Sequence, residues 1–324
     1  MAGFNRGAVK KLATKRTAGT YRQIFLHTLV TLGAGILITI LDSVLLEQIG
    51  TTGGLSGLGT RSVLETLRTV LQYANMLLLP FWEMSIFYWA IRRARGLDTQ
   101  PGDFLEGFRR FAPVLRLKLL QGIVVWMILM GCTFISSLIY SFSPLALPVI
   151  NLLLPYAQDI ASLQAAMADE ALMTQMISYM YPVYIIMAVL TLLALLPLFY
   201  RFRMAEYELM DEKGTGAIKA LIRSFQMTRK QSWNLIKLDL SYWWYFALQI
   251  LCVIPMYAST FAPLLGIAAS ETALTVGGYA VTCLAQLILF SAFRGRIETT
   301  YALTYNALRA SIPEKKSIVP WNPQ

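Results

Sequence analysis

Histidine is nearly absent from this chain: His27 is the one histidine in 324 residues. That excludes a metal centre built on several imidazoles. Cysteine is scarce as well. Cys132, Cys252 and Cys283 stand singly inside apolar runs, without CxxC or metal-ligand spacing, and read as small buried hydrophobes. Charged residues make up 14% of the chain, where a soluble domain carries about 25%. The sequence contains no HExxH, GxSxG, P-loop or DxD arrangement, so the common hydrolytic and nucleotide-driven chemistries have no motif to rest on. Met167, Met173, Met176 and Met180 lack any His or Cys companion and read as packing residues rather than copper ligands. No metal or cofactor is expected.

What the chain has instead is long apolar runs. It is 56% hydrophobic, with a mean hydropathy of +0.54. The class that follows is an all-α, polytopic membrane protein, because only helices and closed barrels satisfy their backbone groups in lipid. Six spans are predicted, at about 24–46, 73–91, 114–140, 179–200, 238–257 and 276–293. They form one membrane domain over 23–296, between a basic N-terminal segment, 1–22, and a polar C-terminal tail, 297–324. The first run is a full bilayer width with no close small-residue cleavage site, so it reads as a retained span. Pro80 is expected to kink the second. A separate outer helix is expected over Gln158–Ser178, ahead of the fourth span.

The cations sort along this map. Of 28 Lys and Arg residues, 26 fall in the two terminal segments and the second and fourth loops with their adjoining span ends; only Arg61 and Arg68 fall in the odd-numbered loops. The positive-inside rule then places both termini in the cytoplasm. The net charge of +10 is explained by topology, so nucleic acid is not an expected partner. Even-numbered spans end alike, in YWAIRRAR, FYRFR and LFSAFRGR, and FRRFAPVLRLKLL aligns with MTRKQSWNLIKLDL. Three units, each a basic interfacial helix followed by a two-span hairpin, would produce this rhyme; so would the shared demands of one interface.

Glu83 is the leading candidate for chemistry. A carboxylate near the middle of a span costs several kcal/mol unless it is neutral, paired or wetted, so it reads either as an ion or headgroup site or as a residue bonded to a neighbouring helix. Asp42, toward the outer end of the first span, is a second intramembrane candidate with a structural alternative. Asp239 reads as the partner of an interfacial arginine such as Arg203 or Arg229. Arg109, Arg110, Arg116 and Lys118 form one basic face, and Lys219, Arg223, Arg229, Lys230 and Lys237 another. These faces suit anionic lipid headgroups, and topology alone would also require them.

The segment Met204–Phe246 gathers most of these features. After the turn Lys213–Gly216, Ile218, Leu221, Ile222 and Phe225 repeat at helical spacing, and Lys219, Arg223, Gln226 and Lys230 form a second face. The pattern A-I-x-x-L-x-x-S-x-x-M (Ala217, Ile218, Leu221, Ser224, Met227) precedes Trp233, Leu235, Leu238, Leu240, Ser241, Tyr242 and Trp244. This stretch resembles the uncharacterised bacterial membrane-protein family catalogued as domain of unknown function 975. The ending TYALTYNAL (Thr300–Leu308) resembles that family's C-terminal aromatic segment. Thr228-Arg229-Lys230 departs from it, since the family has Gly near the basic residue. The resemblance implies a helical fold and a bacterial cytoplasmic membrane, and carries no catalytic motif. Three function classes follow: a non-enzymatic protein acting on lipid or on a protein partner, including a second copy of itself; a permease using Glu83; and a lipid-modifying enzyme, for which no nucleophile or second carboxylate is evident.

Overall fold

The computed structural model describes residues 5–51, 58–156, 169–257 and 271–311. No strand occurs among them. Helix α1 (Arg6–Thr17) starts where the Asn5 side chain accepts the Ala8 N–H at 3.2 Å. Helices α2 (Tyr21–Thr51) and α3 (Leu58–Ala94) follow, α3 with Pro80 inside it. A 3₁₀ turn, Pro101–Leu105, and the short α4 (Glu106–Arg109) lead into α5 (Phe111–Ser141). Then come α6 (Leu147–Leu153), α7 (Glu170–Asp211), α8 (Ala217–Thr228), α9 (Ser232–Leu240), α10 (Trp243–Val253) and α11 (Glu271–Ala310).

Among the described residues, four helical stretches are long and apolar enough to cross a membrane: Tyr21–Asp42, Phe111–Ser141, Ala171–Asp211 and Gly277–Ala310. The pair Ser232–Leu240 and Trp243–Tyr257, bent by 59°, makes a fifth if it is one broken span. The expected second span lies inside α3. It falls short on apolarity because Tyr73, Asn75, Glu83 and Trp89 dilute its aliphatic run. Of the most apolar 18 residues in Phe111–Ser141 only 11% are buried, and Trp126, Met127 and Phe134 on this helix are largely exposed. So apolar a surface with so little protein around it suits the membrane-protein class.

The chain divides into two compact units. The smaller spans residues 118–202. Within it the Tyr140 hydroxyl donates to the Tyr179 carbonyl at 3.1 Å, Gln121 donates to the Phe202 carbonyl at 3.3 Å, and Tyr140, Ala146 and Val183 form a small apolar cluster. The expected separate helix over Gln158–Ser178 is not seen as such. Its first part lies outside the described residues, and from Glu170 on it is continuous with the fourth span in α7.

The larger unit comprises 1–117 and 203–324. Its core holds Phe81, Met84, Trp89, Tyr207, Tyr301 and Tyr305, all at most 1% exposed. The Trp89 indole donates to Gln23 at 3.0 Å, and Gln23 donates to the Thr99 carbonyl at 2.9 Å, so α2 and α3 are joined by partly buried polar contacts. His27 is buried against Trp82 and Phe104, with ring centroids 5.3 and 4.5 Å away. The C-terminal segment is not a tail up to its described end: α11 runs on to Ala310, with Ile297, Tyr301, Ala302 and Tyr305 buried on one side. Their i, i+4, i+8 spacing is that of a core-facing helix. Gly107 sits where α4 crosses α3, and a Cβ there would lie 1.9 Å from the Phe81 carbonyl oxygen.

Candidate functional site

Six charged residues of the larger unit, Glu208, Asp211, Glu212, Arg95, Arg223 and Arg309, converge at one end of α7. Glu208, Asp211 and Glu212 lie at i, i+3 and i+4, so they share a face on its last turns. Glu208 is 1% exposed. It accepts from Arg223 of α8 at 2.7 Å and from the Tyr305 hydroxyl of α11 at 2.7 Å. Asp211 accepts from both terminal guanidinium nitrogens of Arg95, at 2.6 and 2.7 Å, from the end of α3. It also accepts from Tyr305 at 3.0 Å and from Arg309. Arg223 reaches Glu212 as well. Three carboxylates and three arginines therefore tie α3, α7, α8 and α11 together. Burial alone would raise the Glu212 carboxyl; hydrogen bonding from Thr215 and from Arg223, and the charge of Arg223, outweigh it and hold its pKa below the ordinary value.

A second tie lies one turn deeper. Arg203 donates to Glu298 at 3.2 Å and stacks on the Tyr301 ring at 3.4 Å, and the Tyr207 hydroxyl donates to the same carboxylate at 2.8 Å. Arg110 binds Glu106 at 3.1 Å and the Leu209 carbonyl at 2.8 Å. Among the described residues no three His, Cys, Asp or Glu side chains are placed to hold a metal ion.

Local sequence explains how α8 meets this network. Gly214, at φ +85°, turns the chain after α7 in a conformation that side chains with a Cβ resist. Helix α8 then buries Ala217, Ala220, Ser224, Met227 and Thr228. These are mostly small, so the helix approaches closely. Ile218, Ile222 and Phe225 are 67%, 54% and 38% exposed. The period expected from sequence holds, and the larger apolar side chains are the outward ones.

The candidate residues separate accordingly. Lys219, Arg229 and Lys230 are exposed around the outer face of α8, and Lys230 has a positive φ of 68°. Arg223 is turned inward to Glu208 and Glu212. Lys237 lies over the Trp233 ring at 5.5 Å. Arg109 is exposed, 3.5 Å from Glu106, and Arg116 is exposed; Lys118 is half-buried in the smaller unit. Glu83 is 3.9 Å from Arg294 of α11, and its side chain is 46% exposed. Asp42 binds Arg68 through both oxygens, at 2.8 and 3.2 Å, and Gln72 at 3.0 Å. That pair joins α2 to α3. The network on Glu208 and Asp211 was not anticipated. Its signal was there: an acidic triplet at i, i+3, i+4 in a chain with 18 acidic residues.

The family described as "Protein of unknown function (DUF975)" matches residues 4–311. No curated protein and no solved structure matches the chain.

Proposed function

This chain belongs to the DUF975 family of proteins of unknown function, and from that premise we propose that it is a non-enzymatic integral membrane protein acting through anionic lipid, or a protein partner, at its cytoplasmic face. The observation that carries this reading is the outer surface of α8. Exposed Ile218, Ile222 and Phe225 stand beside exposed Lys219, Arg229 and Lys230 on a helix whose other side is clamped by Arg223. An apolar strip flanked by cations suits the boundary between acyl chains and anionic headgroups. A non-enzymatic role is supported by the pairing of Glu208, Asp211 and Glu298 with arginines and tyrosines. Those carboxylates already serve as links between helices.

Changing Lys219, Arg229 and Lys230 together to Gln tests this. Each cation near an anionic surface contributes about 1 kcal/mol. The variant is expected to lose most of the salt-sensitive enrichment of phosphatidylglycerol over phosphatidylcholine around the protein in mixed nanodiscs. Unchanged enrichment would end this reading of α8.

The proposed topology is six spans with both termini in the cytoplasm of a bacterial cell, arranged as three units of a short basic helix and a two-helix hairpin. Helix α3 supports it by length: its 37 residues extend about 55 Å at 1.5 Å each. The cation asymmetry supports it independently. An alkaline phosphatase fused after Ser311 is expected to stay inactive, and one inserted in 258–270 to be active. The reverse pattern would invert the topology.

A second reading, a permease, rests on Glu83, whose carboxylate is half-exposed and only 3.9 Å from its nearest cation. In liposomes with an imposed pH gradient, this reading expects proton or cation flux in the wild type and none in Glu83→Gln. Equal flux in the two would remove Glu83 from consideration.

A further inference from the structure

The bent pair α9–α10 leaves a gap in its own backbone ladder. At the break, Ser241 and Tyr242 sit between the two helices. The N-terminal turns of α1 lie across them. Arg6 donates to the Lys237 carbonyl at 3.4 Å, and Lys10 donates to the Ser241 carbonyl at 3.0 Å. The Lys10 ammonium also sits over the Tyr242 ring, 3.9 Å from its centroid. Asn5, Arg6, Gly7, Lys10 and Ser241 line an open cleft of about 480 Å³.

The electrostatics of this cleft are one-sided. Lys10 and Arg6 are held by neutral partners, a carbonyl each and a π-face. Among the described residues neither has a carboxylate within ion-pair distance, and the same is true of Arg296, whose charge acts on Lys10 from α11. Desolvation, then the like charges of Arg296 and Arg6, push the Lys10 pKa down. Elsewhere in this unit arginines meet enclosed acids directly, as Arg95 does Asp211, Arg203 does Glu298 and Arg223 does Glu208. Three cations gathered without an acid among the described residues are a half-built site, and an anion would complete it.

We infer that the α1–α9/α10 cleft receives a phosphate-bearing anion, held by Arg6 and Lys10 with Arg296 behind them. This rests on the lipid-facing reading of the protein and names the headgroup chemistry at one place in it. Two sources supply that chemistry, an anionic phospholipid headgroup and free inorganic phosphate. The surroundings favour the lipid. Trp233, Leu240 and Trp243, on either side of the break, are 62%, 61% and 66% exposed, and exposed Trp beside a helix break is placed as interfacial Trp is.

The test uses the full chain in detergent, titrated separately with phosphatidylglycerol, phosphatidylcholine and inorganic phosphate. Native mass spectrometry reads bound lipid, and equilibrium dialysis reads phosphate. The wild type is expected to retain one phosphatidylglycerol in preference to phosphatidylcholine. Changing Arg6 and Lys10 together to Gln is expected to weaken it roughly tenfold or more, as for loss of charge-assisted hydrogen bonds, and Lys10→Arg to keep it. If phosphate alone binds and shows the same loss, the site stands with a free ligand. If the double variant binds both probes as the wild type does, the inference is overturned. Lys10 also docks α1, so a second measurement is independent of folding. A photoactivatable phosphatidylglycerol on the wild type should label residues 5–10 or 237–242, and labelling only elsewhere overturns the site. A wild type without preference for any anion ends the lipid reading as a whole. A preference lost in the Lys219/Arg229/Lys230 variant but intact in the cleft variant ends the cleft alone.

Discussion

Replacing Glu208 by Gln is expected to cost about 3 kcal/mol of stability, the low end of the range for breaking a buried ion pair. The carboxylate is almost fully enclosed and takes hydrogen bonds from Arg223 and Tyr305. Glutamine keeps one acceptor oxygen for Tyr305 but removes the charge facing Arg223. The cost stays at the low end because Arg223 is 35% exposed and retains Glu212. Thermal unfolding in one detergent would show this as a melting temperature lower by roughly 5–10 °C. Glu212→Gln provides the contrast. Its side chain is 34% exposed, so the change should cost under about 1 kcal/mol. If the two variants melt alike, the α7 network does not clamp α8 as its geometry implies. The lipid test on α8 depends on this result, since the outer face stays outward only while the inner face is held.

Gly107→Ala should be comparably damaging for a different reason. The new Cβ would stand 1.9 Å from the Phe81 carbonyl oxygen and 2.7 Å from Ser85 Oγ. Ser85 Oγ accepts the Gly107 N–H at 2.9 Å and donates to the Phe81 carbonyl at 3.1 Å. Alanine would have to push α4 off α3 and break that bridge. Overpacking costs about 1–3 kcal/mol and the lost hydrogen bond about 1 kcal/mol, so a loss of about 2–4 kcal/mol is expected. The measurable result is a sharp fall in folded yield and melting temperature. Gly102→Ala is the control: it meets open space in the same connection and should match the wild type. A stable Gly107→Ala protein would mean that the close crossing of α4 over α3 is not as described.

The class of this protein was legible from sequence because lipid imposes it through composition. Few charges, long aliphatic runs and cations gathered in alternate loops all reflect the same solvent constraint. The period of α8 was legible too, since a helix with one packed side repeats every 3.6 residues. The family could be read from Ala217–Met227 and Trp233–Trp244, and it extends over residues 4–311.

Which face of α8 turns inward was not legible. Large apolar residues mark the buried side of a helix in water; beside lipid they also suit the outside, and the small residues Ala217, Ala220 and Ser224 pack inward. Nor could sequence say that Arg223 belongs to Glu208 while Lys219 is outward, because both carry the same charge on one helix. Asp42 and Arg68 lie 26 residues apart, and Arg95 and Asp211 lie 116 apart. Such pairs exist only once the helices are assembled. Composition and periodicity determined the helical membrane-protein class and its main apolar runs; tertiary contact alone decided that helix continues through 170–178 and 297–310, which charges are spent on each other, and which, at Arg229, Lys230, Arg6 and Lys10, have no carboxylate within ion-pair distance among the described residues.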